Sequence, residues 1–263
     1  MKEKPDYSNW IPVKFVALLG SAGVIFAASF FASFLLSGGA AVLPVRAVLA
    51  AAAVLCLAFC FYMAHARTLL SYDGGGVQGK VLDNVLAHLG WNGVGTLIDI
   101  GCGSGAMAIK AAKKYPNAWV VGVDYWGFGW DYSKKQCERN AGIEKVGRRV
   151  VFQKGDAAAL DFPDARFDAA VSNFVFHEVK SQPDKLALIR EALRVVKPGG
   201  LFSFGDVFFA KSHYKDIDVL IEALSGDVSE IHFVDTRKSD FMPKYLKTPF
   251  GPGGQMGLIY GVK

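Results

Sequence analysis

The sequence predicts an α/β domain with a doubly wound, mostly parallel seven-stranded sheet, preceded by two transmembrane α-helices. Two long uncharged apolar stretches open the chain, and short apolar segments then alternate with amphipathic ones. A glycine-rich loop follows the first of these short segments, where sheets of this kind bind nucleotides. We therefore divide the chain into a helical hairpin, residues 1–70, and an α/β domain, residues 71–263.

The first uncharged stretch, Phe15–Leu36, is long enough to span a bilayer, since about 20 apolar residues cross a hydrocarbon core of about 30 Å. The second, Ala47–Ala64, lies at the lower end of that range. Gly38, Gly39 and Pro44 between them favour a turn and an antiparallel pair. A signal peptide has a shorter apolar stretch, and neither segment shows the amphipathic period of a helix on a soluble core.

Positive charge predicts the orientation of this hairpin. Lys2, Lys4 and Lys14 precede the first span and Arg67 follows the second, whereas the joining loop carries only Arg46. Because lysine and arginine stay on the cytoplasmic side, both ends of the hairpin are expected there. The protein is then a two-pass integral membrane protein in contact with the lipid bilayer, with the α/β domain in the cytoplasm.

The remaining segments alternate between helix and strand patterns. A helical stripe covers Val77–Leu89. Apolar runs then predict strands at Thr96–Ile100, Trp119–Val123, Val150–Gln153, Phe167–Ser172 and Leu201–Phe204, and two more near Ser229–Val234 and Gly257–Val262. Helices are predicted near Ala106–Lys114, Ser133–Ala141 and Asp184–Val196, with Gly199-Gly200 in a turn. This alternation predicts βαβ units and a parallel sheet covered on both faces.

The composition excludes several classes of protein. Of the 263 residues, 52% are hydrophobic and 20% charged, which excludes intrinsic disorder. The net charge of +5 is not gathered into a basic stripe, so no nucleic-acid partner is expected. The four cysteines include no C-x-x-C pair, and we expect neither a disulfide scaffold nor a metal site.

The glycine loop between the first strand and its helix is the main functional signal. Its glycines permit a tight turn and close approach of backbone to a ligand at a helix N-terminus. Asp124 ends the next strand, where an acid accepts hydrogen bonds from ribose hydroxyls. The pattern Gly101-x-Gly103-x-x-Ala106 also fits a dinucleotide site. Asp99 argues against that alternative, because such sites keep apolar residues at this point of the strand.

These residues resemble class I S-adenosylmethionine-dependent methyltransferases, a family with a Rossmann-like sheet. The resemblance covers about residues 72–263. It rests on four segments in order, which are the Asp99–Gly105 loop, Asp124, Gly155-Asp156-Ala157, and Leu193–Leu201. It implies S-adenosylmethionine as the cofactor, S-adenosylhomocysteine as its product, and a small-molecule acceptor.

The resemblance also implies the cofactor contacts. Asp99 would orient the amino-acid portion, Asp124 would hold the ribose hydroxyls, and Asp156 would accept from the adenine amino group. The expected cofactor-binding residues are Asp99, Gly101, Cys102, Gly103, Gly105, Asp124, Tyr125, Asp156, Ala157 and Asn173. Tyr125 opens an aromatic stretch that reaches Trp130; its rings would stack on adenine, line an acceptor pocket, touch the bilayer or simply pack.

The catalytic candidates follow the fourth strand, at the carboxyl edge where ligands bind. Asn173, His177 and Glu178 lie there. His177 is the expected general base, since its unperturbed pKa of about 6.5 suits proton transfer at neutral pH, and Glu178 is the weaker candidate. The alternative is that His177 only orders the loop.

The leading hypothesis is a membrane-anchored methyltransferase for a hydrophobic, lipid-like or bilayer-partitioned acceptor. Two spans would hold the site near such molecules and raise their effective concentration. A second hypothesis is a methyltransferase for a small cytosolic or volatile nucleophile, such as a thiol, with the hairpin as an anchor only. A third is a non-catalytic S-adenosylmethionine-binding sensor or scaffold, and a membrane NAD(P) oxidoreductase comes last.

Overall fold

The computed structural model describes residues 3–35, 39, 42–73, 76–127, 132–248, 251 and 253–263. Lys2, Gly38, and Phe128 and Trp130 of the aromatic stretch lie outside the described residues. The chain divides into two compact units, Asn9–Val77 and Gln78–Lys263, and residues 3–8 belong to the second of them. Residues 3–8, which precede the first helix in the chain, are therefore part of the α/β unit.

The helical unit contains two long helices, α1 (Val13–Ala32) and α2 (Val42–Leu69), with a 3-10 turn at Ser33–Leu35. Pro44 was predicted to lie in the turn but lies in the first turn of α2. Proline is tolerated there because the first backbone N–H groups of a helix have no intrahelical acceptor.

Small residues let α1 and α2 approach closely. A Cβ added at Gly23 would lie 2.7 Å from the Leu57 side chain, and the Cys60 thiol donates to the Val16 carbonyl at 3.4 Å. Arg46 donates to the Ser33 carbonyl at 2.9 Å. The arginine that interrupts the apolar sequence therefore satisfies a carbonyl at the end of the first helical segment.

The outer faces of both helices are apolar. Val13–Leu35 and Val42–Leu69 are long and apolar enough to cross a membrane, which by itself is weak evidence because core helices and signal sequences share these properties. Only 6% of each apolar window is buried in the structure. Exposed side chains include Leu18, Ile25, Phe31, Leu55 and Phe61.

The α/β unit contains the predicted seven-stranded, mostly parallel sheet, in the order β3-β2-β1-β4-β5-β7-β6. Strand β7 runs antiparallel to both of its neighbours, β5 and β6, and the other pairs of strands are parallel. The strands are β1 Gly95–Ile100, β2 Ala118–Asp124, β3 Val150–Lys154, β4 Phe167–Asn173, β5 Val196–Asp206, β6 Glu230–Val234 and β7 Gly257–Val262. The helices are α3 Val77–His88, α4 Ala106–Lys114, α5 Lys134–Ile143, α6 Lys185–Arg194 and α7 Ile217–Ser225.

Strand β5 begins earlier than predicted. Gly199 and Gly200, expected in a turn, lie within β5, and the pairing with β4 shifts register between Phe167 and Ala169. Gly199 has a φ of 75° and donates its N–H to the Lys263 carbonyl at 2.7 Å. The glycines therefore form an irregularity that keeps its hydrogen bonds inside the sheet.

Four neighbouring parallel strands end at the same edge of this sheet, at Ile100, Asp124, Asn173 and Asp206. Fully buried aromatic side chains lie near the ends of β4 and β5 at this edge, namely Phe176, Phe204 and Phe208. The residues at the strand ends thus project from a rigid support.

Candidate active site

The glycine loop connects β1 to α4 through left-handed backbone. The φ values of Gly101, Gly103 and Gly105 are 73°, 54° and 82°, in a region that residues with a side chain rarely adopt. A Cβ at Gly101 would lie 2.1 Å from Val175, so the loop also packs closely against the segment after β4. The predicted glycines therefore serve a tight turn beside the carboxyl edge.

Asp124, at the end of β2, fixes this loop. Its Oδ2 accepts the Gly103 N–H at 2.8 Å and its Oδ1 accepts the Trp126 N–H at 2.7 Å. Burial raises the pKa of Asp124, and these backbone hydrogen bonds oppose the rise. Each oxygen still has acceptor capacity for a further hydroxyl.

Asp99 in β1 is the most unusual acid of the site. It is 1% exposed, and its Oδ2 has no hydrogen-bond partner among the residues that the structure describes. Burial raises the pKa of Asp99 to about 8, and the charge of Asp124 adds to the effect. A buried carboxyl oxygen without a partner is costly, and a cationic ligand group would remove that cost.

The other predicted cofactor residues have different environments. Asp156 follows β3, and its Oδ1 accepts the Ala158 N–H at 2.9 Å. Ala157 is buried in the core, and the Cys102 side chain is buried, so the Cys102 backbone is the part that belongs to the loop. Tyr125 is 61% exposed and lies under the Lys154 ammonium.

Asn173, at the end of β4, has a buried amide whose oxygen and nitrogen both lack a partner within the described part of the chain. A Cβ on Gly205 of the neighbouring strand would lie 2.7 Å from the Asn173 Oδ1. Because Gly205 has no side chain, the Asn173 amide can occupy this position. The amide is available for a polar ligand group at the carboxyl edge.

His177 lies in a 3-10 turn after β4 and is held by Asp206 at the end of β5. The His177 Nδ1 is 2.5 Å from the Asp206 Oδ1, and the His177 backbone N–H donates to Oδ2 at 3.1 Å. The Tyr214 hydroxyl also donates to Oδ2, at 2.8 Å. Asp206 is fully buried, and its hydrogen bonds fix the orientation of the His177 imidazole. Nε2 is the ring nitrogen that is not bound to Asp206.

The electrostatics of this group favour an imidazolium. Burial lowers the pKa of His177, but hydrogen bonds and charge from Asp206 and Glu178 outweigh it and raise the value to about 9. The Glu178 Oε1 lies 3.4 Å from the His177 Nε2, and this pairing lowers the pKa of Glu178. The structure thus brings His177 and Glu178 together as an ion pair.

Sequence reasoning missed Asp206 and Tyr214, and it named Trp126 only as a member of the aromatic stretch. The Trp126 indole donates to the Gly103 carbonyl at 2.9 Å and so packs on the glycine loop. The signal for Asp206 was present in the sequence, because Asp206 ends a buried strand as Asp124 does. Among the described residues, no group of three or more His, Cys, Asp or Glu could hold a metal ion.

Comparisons with known proteins place this geometry in a family. A family model described as "Methyltransferase domain" matches residues 97–200. The 27-O-demethylrifamycin SV methyltransferase of Amycolatopsis mediterranei is 37% identical over 119 residues, 44% of this chain and 40% of that protein. The 2-methyl-6-phytyl-1,4-hydroquinone methyltransferase of Synechocystis is 34% identical over 136 residues, 49% of this chain and 39% of the relative.

The sterol 24-C-methyltransferase of Aspergillus fumigatus is 34% identical over 106 residues, 40% of this chain but 26% of that enzyme. The matches thus span well under half of these relatives. Among solved structures, geranyl diphosphate methyltransferase in complex with SAM has a TM-score of 0.53 at 15% identity, over 74% of this chain and 93% of that one. The [4+2]-cyclase SpnF has a TM-score of 0.53 at 22% identity, over 69% and 78%.

The structural neighbours support the fold, and the sequence relatives and the family model support the cofactor. The predicted fold, family and methyl donor are confirmed. The chain contains a class I S-adenosylmethionine-dependent methyltransferase domain, with a Rossmann-like sheet and S-adenosylmethionine as the methyl donor.

Proposed function

We propose that the protein is a membrane-anchored methyltransferase that methylates an apolar small molecule dissolved in the bilayer. The observation that carries this proposal is the joining of a methyltransferase domain to two helices whose long apolar faces are exposed. The proposal combines a cofactor site, a membrane anchor, an acceptor class and a proton acceptor, and each part has its own support.

The residues at the carboxyl edge fit S-adenosylmethionine. The unpartnered Asp99 Oδ2 suits the ammonium of its amino-acid portion, and the Asp124 carboxylate suits its ribose hydroxyls. The backbone of Gly101–Gly105 allows close approach, and the unpartnered Asn173 amide suits a polar group beside the reacting centre. Asp156 keeps one carboxylate oxygen for the adenine amino group.

The membrane anchor is supported by burial. A helix in a soluble core hides its apolar side chains, but only 6% of each apolar window is buried here. Side chains as large as Phe31 and Phe61 are 70% and 77% exposed. Lipid is the surrounding in which such a surface is stable, because water would impose a large hydrophobic cost.

The two-pass topology has independent support in the chain path. Residues 3–8 precede α1 and belong to the same compact unit as Gln78–Lys263, which follows α2. If both helices span the membrane, the chain segments before α1 and after α2 must lie on the same side of it, because both belong to one folded unit. The flanking charges, Lys2, Lys4, Lys14 and Arg67, favour the cytoplasm for that side.

The names of the relatives support an apolar acceptor. A sterol and a phytylated hydroquinone are both molecules that dissolve in membranes, and the enzymes named for them share 34% identity with the matched parts of this chain. We therefore assign the acceptor to the class of lipid-soluble rings or polyprenyl-bearing molecules.

His177 is the proposed proton acceptor. Bound S-adenosylmethionine supplies an activated methyl group, so orientation of the acceptor provides much of the acceleration. Asp206 accepts a hydrogen bond from the His177 Nδ1–H, so Nε2, which lies beside Glu178, is the atom that would receive a proton from an acceptor that must lose one, such as a hydroxyl. Because the pKa of His177 is about 9, only the minor neutral form acts as a base at pH 7.

Methyl-labelled S-adenosylmethionine tests the proposal. The detergent-purified full chain is offered the lipid extract and the aqueous extract of its host cells separately, and volatile products are trapped. Label in the organic fraction is the expected result. Label only in the aqueous or volatile fraction would reduce the hairpin to an anchor. Cofactor binding with no label in any fraction would favour the non-catalytic sensor or scaffold.

A further inference from the structure

The segment that precedes the first helix is bound to the cofactor loop. Residues 3–8, here called the N-terminal strap, belong to the methyltransferase domain and contact its glycine loop and α5. The Tyr7 side chain in the strap is only 4% exposed. Burial of a side chain in a segment without regular secondary structure requires specific contacts.

Asn140 on α5 connects the strap to the loop. Its Oδ1 accepts the Asp6 N–H at 2.8 Å, and its Nδ2 donates to the Asp6 carbonyl at 2.7 Å. The same Nδ2 also donates to the Ser104 carbonyl at 3.1 Å, inside the glycine loop. Asn140 is 1% exposed, so its amide is satisfied only when the strap and the loop are both in place.

A second contact joins the strap to the loop directly. The Ser104 hydroxyl, between Gly103 and Gly105, donates to the Tyr7 carbonyl at 2.9 Å. The Tyr7 hydroxyl in turn donates to Glu144 at 3.2 Å, just after α5. Ser104 is therefore held by Tyr7 on its side chain and by Asn140 on its carbonyl.

The outer side of the strap is held by Gln136. Its Nε2 donates to the Asp6 carbonyl at 2.8 Å and to the Ser8 hydroxyl at 2.9 Å. Both hydrogen bonds of the Gln136 Nε2 go to the strap, so Gln136 holds the strap and not the glycine loop. Arg139 adds an exposed ion pair with Glu3.

We propose that the N-terminal strap holds the glycine loop in its cofactor-binding conformation, with Asn140 and Tyr7 as positioning residues. Left-handed glycines have many accessible conformations, so a loop of this kind gains affinity when outside contacts restrict it. Coupling between two sites is reciprocal. Cofactor binding must therefore stabilise the docked strap as much as the docked strap favours binding.

The test measures S-adenosylhomocysteine binding to the full chain in detergent by calorimetry, with no acceptor present. Gln136→Ala loosens the strap and leaves the loop residues unchanged, and Asn140→Ala removes the bridge. We expect Asn140→Ala to raise the Kd about tenfold, which is about 1.4 kcal/mol, and Gln136→Ala to raise it less. Glu138→Gln is the matched control on the same helix, because Glu138 is exposed and pairs with Lys134.

Hydrogen exchange provides the reciprocal measurement. Saturating S-adenosylhomocysteine should slow exchange of the Asp6 amide in the wild-type protein and slow it less in Gln136→Ala. Unchanged Kd values in both variants, or a strap whose exchange ignores the ligand, would overturn the proposal. If Asn140→Ala does not fold, Gln136→Ala and the exchange data still decide the question.

The inference rests on the cofactor site of the proposed function, and the same experiment separates the two. A wild-type chain that does not bind S-adenosylhomocysteine contradicts the cofactor site itself. A wild-type chain that binds it as tightly as both variants contradicts only the role of the strap.

Discussion

The protonation of His177 determines how the rate should depend on pH. The pKa of this residue is about 9, against an ordinary value of 6.5, because Asp206 and Glu178 outweigh the effect of burial. At pH 7 about 1% of such a group is neutral, and at pH 9 about half is. If the neutral ring takes a proton from an acceptor hydroxyl, kcat should rise about 50-fold from pH 7 to pH 9.

Asp206→Asn moves this profile in a defined direction. The substitution removes the buried charge that favours the imidazolium, and burial then lowers the pKa of His177. We expect the midpoint of the pH–rate profile to fall from about 9 to about 6.5 or below. Glu178→Gln is the control, since its side chain is 47% exposed and solvent screens its charge, so the midpoint should move less.

The assay is a titration of histidine-labelled protein by NMR, together with the pH–rate profile. The chain has five histidines, and His177→Gln identifies the signal of interest. This titration needs no acceptor. A His177 signal that titrates near 6.5, or a wild-type rate that is flat between pH 7 and pH 9 with a hydroxyl acceptor, would refute the reasoning.

Three further predictions concern the cofactor site and stability. Asp99→Asn should weaken S-adenosylhomocysteine binding by roughly 10–100-fold in calorimetry, because a charged hydrogen bond contributes about 1.5–3 kcal/mol; unaltered affinity would contradict the ammonium assignment. Gly205→Ala should displace the Asn173 amide, 2.7 Å from the added Cβ, and lower kcat with little change in far-UV circular dichroism. Arg194→Met should lower Tm by several degrees, because Arg194 donates to Glu191 and to the Leu160 and Phe162 carbonyls, and its loss leaves these partly buried acceptors unpaired; an unchanged Tm would show that this network contributes little.

The cofactor half of the site could be predicted because it depends on local sequence. The backbone of the glycine loop and the acid that ends the next strand both follow from residue types at fixed spacing, as at Gly103 and Asp124. The seven-stranded, mostly parallel sheet was predicted, whereas the order of its strands and the antiparallel direction of β7 were not. The residue ranges of most strands agreed within a few residues, and β5 differed because Gly199 supports an irregular start of the strand.

The contacts that the sequence did not predict join residues far apart in the chain. His177 follows β4 and contacts Asp206 at the end of the neighbouring strand β5, and Tyr214 contacts Asp206 from the loop after β5. The strap is the clearest case, because Asp6 and Asn140 are 134 positions apart and a polar segment before an apolar helix has the pattern of a free terminus. Such pairs are fixed by tertiary packing, which residue type and spacing do not encode locally.

Whether the acceptor reaches the enzyme from the bilayer is tested by the response of the rate to dilution of the acceptor within a membrane. The full chain is reconstituted into vesicles with the acceptor found in the organic extract, and inert lipid is added while the total acceptor concentration stays constant. An enzyme that takes its acceptor from the bilayer should slow in proportion to the fall in acceptor mole fraction, because the effective concentration lies in the membrane. A rate that does not change with added lipid would mean that the acceptor arrives from water, and would contradict the account.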